Sequence, residues 1–159
     1  MMGRTARYAG LVILWSCSLA GWSQTMQEHV HRHAQDVMPF DLGKTVHVFR
    51  MTESGGVQSV VTRGDAADTE QLALIRHHLM HEAMQFQAGD YSDPAKLHGP
   101  GMPGLAELHA GAAAIKVTFR PLPNGAEVEF ESTDIKLITA IHRWFGAQLS
   151  EHGADAMAK

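Results

Sequence analysis

Eleven histidines in a chain of 159 residues, beside nine methionines and a single cysteine, are the side chains best placed to do chemistry. Imidazole is the commonest protein metal ligand, and its unperturbed pKa lies near neutral, so the excess points to metal capture or pH sensing. The histidines are His29, His31, His33, His47, His77, His78, His81, His98, His109, His142 and His152. They divide into a tail group, a helix group and a scattered set.

His47, His142 and His152, with His98 from a Gly/Pro-rich loop, could meet as one metal site. The competing possibility is four separate core or boundary histidines, each satisfied by a carbonyl or carboxylate, because burying an unsatisfied polar group costs about 1–3 kcal/mol. His77 and His81 stand at i, i+4, one helical turn apart, which suits two ligands to one Zn²⁺ or Cu²⁺. Met80 and Met84 border the same face and offer soft sulfur to Cu(I). A solvated helix face accounts for the same pattern. His29-Val30-His31-Arg32-His33 puts three imidazoles on one side of an extended arm, a weak divalent-metal binder or a plain polar tail.

Other chemistries lack their motifs. His81-Glu82 is not the start of a zincin helix, since Gln85 stands where HExxH needs its second histidine. His98-Gly99-Pro100-Gly101-Met102-Pro103-Gly104 has the glycines of a phosphate loop without its Lys-Ser/Thr ending. There is no GxSxG, no GxGxxG and no cysteine nucleophile, so a catalyst would have to rely on metal or on histidine with carboxylates.

The elements that would carry these side chains recur along the chain. Thr45–Met51 and Val57–Thr62 read as strands around Ser54-Gly55-Gly56, followed by a helix from about Thr69 to Ala88 that Asp68 can cap and Gly89 ends. Ile115–Arg120 and Ala126–Glu131 flank Asn124-Gly125, a hairpin signal, and Thr133 or Asp134 opens a helix to about His152, stopped by Gly153. The expectation is an α+β domain built on a duplicated ββα unit, with a four-stranded antiparallel sheet and two long helices on one face.

Alternation along the second hairpin turns Val117, Phe119, Val128 and Phe130 toward the helices. Matching Phe49 to Phe119 then places His47 where Val117 sits, on the covered face. In the last helix Ile135, Ile138, Ile141, Phe145 and Leu149 set the expected core stripe, with His152 inside it and His142 near its edge. In the first, Leu72, Ile75, Leu79, Ala83 and Phe86 set the stripe, with His78 at its flank and His77 and His81 on the far side.

Residues 1–20 read as a signal peptide, with Arg4 and Arg7 ahead of an apolar stretch too short to span a bilayer. Cleavage after Ala20 is expected. The rival is lipid attachment at Cys17, for which Leu14-Trp15-Ser16-Cys17 is a poor box because Trp15 is bulky. Cleavage removes two basic residues and no acid, taking the formal net charge from −4 to −6. Such a charge argues against a nucleic-acid partner. It also leaves no cysteine, so a soft metal must be held by histidine and methionine. Residues 21–43 read as a flexible histidine-containing arm, and residues 44–159 as a single domain with a short C-terminal tail.

The chain resembles a family of small exported bacterial proteins, some of which carry the name aspartate carbamoyltransferase. The resemblance covers roughly residues 38 to 152. It rests on Met38-Pro39-Phe40, Thr45-Val46-His47-Val48-Phe49 before Gly55-Gly56, and Ile75-Arg76-His77-His78-Leu79. It continues through Phe86 with Gly89-Asp90-Tyr91, His98, Pro103-Gly104, Ile141-His142, and Gln148 with His152. It implies motif histidines at His47, His78, His98, His142 and His152. Asp41-Leu42 departs from the Ser-His found in many relatives. The Ser-Thr-Arg-Thr phosphate loop of the true transferase is absent.

The leading expectation is an exported protein that buffers or delivers copper or zinc. The alternatives are a small metal-dependent hydrolase, with Glu107 or Asp90 as its carboxylate, and an interaction module or homodimer pairing through a sheet face of Val46, Val48 and Val60.

Overall fold

The computed structural model describes residues 25–64 and 68–159; the expected signal peptide and Cys17 lie outside them. The chain runs α1 (Met26–His33), β1 (Thr45–Thr52), β2 (Gly55–Thr62), α2 (Thr69–Gln87), α3 (Ser92–His98), α4 (Leu105–Gly111), β3 (Lys116–Leu122), β4 (Gly125–Glu131), α5 (Ile135–His152) and β5 (Ala156–Ala158). The α+β class and the recurrence of ββα are as the sequence predicts. The sheet is larger than expected, with five strands in the order β3-β4-β2-β1-β5. The first four pair antiparallel, and β5 lies parallel to β1.

Each long helix starts at an aspartate. The Asp68 carboxylate accepts from the Gln71 amide, and the Asp134 carboxylate from the Lys136 amide. Such caps satisfy helix-end donors and typically contribute about 1 kcal/mol each. Glycines at positive φ follow both helices: Gly89 at 82°, just after α2, and Gly153 at 56°, at the end of α5.

The two helices exchange partners. The helix of the first repeat, α2, packs on β3 and β4, while α5 packs on β2, β1 and β5. This crossed arrangement makes the halves interdependent, with Trp144, Phe145, Phe130 and Phe86 packed edge-to-face or tilted at the centre. Gly56 lies directly under the Phe145 ring, where a Cβ would stand 2.5 Å from Cε2.

Strand register sets the inward faces. His47 pairs with Val60, and Val60 with Ala126, so these three point together into the core. Val60 is fully buried there, which corrects its expected place on the helix-free face. Val46 pairs with Val61, and Val48 with Met157 of β5, on the opposite side.

Segment 25–43, expected as a flexible arm, instead packs on the body. Thr25 and Glu28 form a reciprocal capping box at the start of α1, and Val30, Ala34, Met38, Phe40 and Leu42 are buried in the core. Val30, Ala34 and Met38 recur every four residues, an apolar ridge on an otherwise polar run.

Gly104 ends the Gly/Pro loop at φ 85°, where an added Cβ would fall 2.2 Å from the Ala140 carbonyl oxygen of α5. Helix backbone cannot yield as a side-chain tip can. Gly104→Ala is therefore expected to cost about 3 kcal/mol in urea denaturation, from left-handed strain and overpacking combined.

Candidate functional site

Three of the predicted histidines converge. His47 is the third residue of β1, His152 is the last residue of α5, and His98 is the last residue of α3. The ring centres of His47 and His152 are 4.7 Å apart, and those of His152 and His98 are 5.1 Å apart. All three are buried, with relative exposures of 3%, 7% and 6%. They line a cavity of about 50 Å³ together with His78, Glu82, Asp93, Gln58, Gln148 and Trp144. That volume suits a few waters or one metal ion.

The polar atoms of this cavity are short of partners. His47 Nδ1, His152 Nδ1, Gln58 Oε1, Glu82 Oε1, Gln148 Oε1 and Trp144 Nε1 are all buried without a protein hydrogen-bond partner. Natural cores seldom leave such groups unpaired, and each unmet atom costs about 1–3 kcal/mol. So many around one cavity suit it to a polar occupant, whether ordered water or an ion.

His98 is the exception, and an informative one. Its Nδ1 lies 2.7 Å from Glu151 Oε2. A carboxylate only accepts, so Nδ1 carries the hydrogen and the Nε2 lone pair is left for another partner. Carboxylate–histidine pairs of this kind fix the tautomer and orientation of metal-ligating imidazoles.

Burial keeps these rings neutral. Desolvation, reinforced by the neighbouring imidazoles, drives His47 down to about 3 and His152 to about 2. Desolvation lowers His98 as well, against the pull of Glu151. His78 falls to about 4 by burial, with Asp93 opposing and His81 and His77 adding to the drop. Neutral imidazoles are the form that ligates metal. The C-terminal ends of α3 and α5 also bring partial negative charge to His98 and His152, favouring a cation there.

Glu82 is shifted the other way. Burial, then a hydrogen bond and charge repulsion from Asp93, raise its carboxyl to about 8. It stands on the inner stripe of α2 with Ile75, Leu79 and Phe86, at i+7 from the first of these, and a charged residue in a core position is the sequence signal that marks it. Gln148 stands one turn before His152 in the same way.

The remaining predicted ligands lie elsewhere. His142 Nε2 donates to the carbonyls of Gly55 at 2.8 Å and Thr52 at 3.0 Å, bracing the β1–β2 turn away from the cavity. His142→Ala is expected to cost about 1–2 kcal/mol of stability by freeing those carbonyls and to leave any metal response unchanged, as thermal melts with and without metal would show. His77 and His81 are exposed on the outer face of α2. Of the arm histidines, His31 and His33 pair with Asp155 and Asp36. Glu107 is held by Arg143, and Asp90 accepts from the Ser92 amide, so neither expected carboxylate lines the cavity.

The donors suit a transition metal in kind and in spacing. Two imidazoles bound to one ion by bonds of 2.0–2.1 Å hold their ring centres about 5 Å apart. Their directions are another matter: among the described residues, no three His, Cys, Asp or Glu side chains close on a common metal position as the rings stand. Among those residues, too, no helix is long and apolar enough to cross a membrane. Compared with known proteins, the chain matches no family model, no curated protein and no solved structure.

Proposed function

We propose that the protein is an exported binder of copper or zinc that buffers or delivers the ion through His47, His98 and His152, with His78 in the cavity wall. The observation that carries this reading is the row of three buried imidazoles whose His47 and His152 Nδ1 atoms lack partners. Ligation calls for turning the His47 and His152 rings about their side-chain torsions so that a lone pair from each meets that of His98. A bound ion would supply the positive charge that satisfies these lone pairs. Export rests on the apolar leader read in residues 1–20.

The test is metal analysis of protein purified without an affinity tag, followed by melting with added Zn²⁺ or Cu²⁺. Near-stoichiometric metal, or a rise in melting temperature on adding it, supports the reading. Absence of metal together with no rise in melting temperature on adding it would sink the reading.

A metal-dependent hydrolase is the second reading, favoured by Glu82. A carboxyl titrating near neutral pH in the same cavity as the imidazoles is suited to passing a proton to or from metal-bound water. Hydrolysis of ester or phosphoester substrates by the zinc-loaded protein, lost in Glu82→Gln, is its signature. The pairing module keeps Val46 and Val48 on the helix-free face, now with Val61 and Met157. A monomer at high concentration in sedimentation speaks against it.

A further inference from the structure

The exposed face of α2 carries a second arrangement of donors, separate from the buried row. His77, Met80, His81 and Met84 stand at i, i+3, i+4 and i+7, so all four share one stripe of the helix with neighbouring Cβ atoms about 5–6 Å apart. Met80 and Met84 are 45% and 60% exposed, and both histidines are exposed as well. A lone surface methionine needs no explanation, but two interleaved with two histidines make a chelating set. His77 and His81 line a surface concavity with His78 and Asp93, and those last two residues also line the buried cavity.

The donor chemistry selects the ion. Thioether sulfur is soft and uncharged and binds Zn²⁺ or hard divalent ions poorly, whereas paired with imidazole it suits a monovalent d¹⁰ ion. From this stripe we infer that His77, Met80, His81 and Met84 form a surface capture site for Cu(I), distinct from the buried site and separated from it by the wall that His78 and Asp93 share.

Ag(I) is the probe, since it mimics Cu(I) without oxidising. The full chain, labelled with ¹³C-methyl methionine and assigned by single substitutions, would be titrated with silver nitrate in chloride-free buffer. The methyl signals of Met80 and Met84 are expected to move first, within one equivalent. The double variant Met80→Leu/Met84→Leu, which keeps helix propensity, should bind the first Ag(I) at least tenfold more weakly, with its circular dichroism unchanged. His47→Val should leave the Ag(I) result as it is, so the surface and buried sites can fail separately. First shifts at other methionines, or a double variant that binds Ag(I) as tightly as the native chain, would overturn the site.

Discussion

Acidifying the metal-free protein from pH 7 to pH 5 is expected to lower its unfolding free energy by about 3 kcal/mol. His47, His152 and His78 have folded pKa values of about 3, 2 and 4, all below the ordinary 6.5. Between those limits the unfolded chain takes up protons that the folded chain refuses, so stability drains away as pH falls below about 6.5. Each of the three contributes about 2 kcal/mol of loss over this interval. Glu82 works in the opposite direction. Its folded pKa of about 8 lies above the ordinary 4.5, so its burial is least costly in acid, and it returns about 2–3 kcal/mol over the same two pH units.

Stability should therefore peak between the two influences, just below pH 7, and fall on either side. Urea denaturation at half-unit pH steps would show it. Glu82→Gln removes the opposing group, so it should raise stability at pH 7 and steepen the acid loss. A profile that is flat between pH 7 and pH 5 would mean that the imidazoles are not held neutral by burial. Bound metal should add to the acid loss, since protons compete with it for the same nitrogens.

The inward placement of His47 was legible because a strand has a side-chain period of two and Phe49 fixes its phase. His152 was legible for a similar reason, lying about 20° from the centre of the α5 stripe when that stripe is centred on Ile141. The phase itself was misjudged. Ile135 lies about 120° from that centre and is 70% exposed, whereas Trp144, about 60° to the other side, is fully buried. Taking Ile135 and Leu149 into the stripe and leaving Trp144 out moves it toward the first two and draws His142 nearer the core than it stands.

What could not be read was tertiary. His98 meets His152 because a short helix ends at Gly99, and no local pattern announces where that helix docks. Strand β5 is three residues, Ala156-Met157-Ala158, too short to show alternation. It pairs beside β1 because the chain turns back after Gly153, and that turn brings the Asp155 backbone against the His47 ring. The packed N-terminal segment was hidden by its charges, since from Met26 to Ala34 only every fourth residue is apolar.

His47→Val separates a metal site from a set of merely buried histidines more sharply than any other substitution. Valine stands at the matching position of the second repeat, Val117, and it removes a buried nitrogen that has no partner, so the metal-free variant is expected to be as stable as the native protein or more so. Metal at about 100 times its Kd adds about 2.7 kcal/mol to a protein that binds it, or about 10 °C in melting temperature for a domain of this size. The native protein and His142→Ala should both show that rise. His47→Val should show none, and Glu151→Gln, which weakens the grip on His98, should need about 10–100 times more metal for the same rise. If His47→Val melts lower without metal and yet gains the full 10 °C with it, His47 is a packing residue only. The stabilising ion then sits elsewhere.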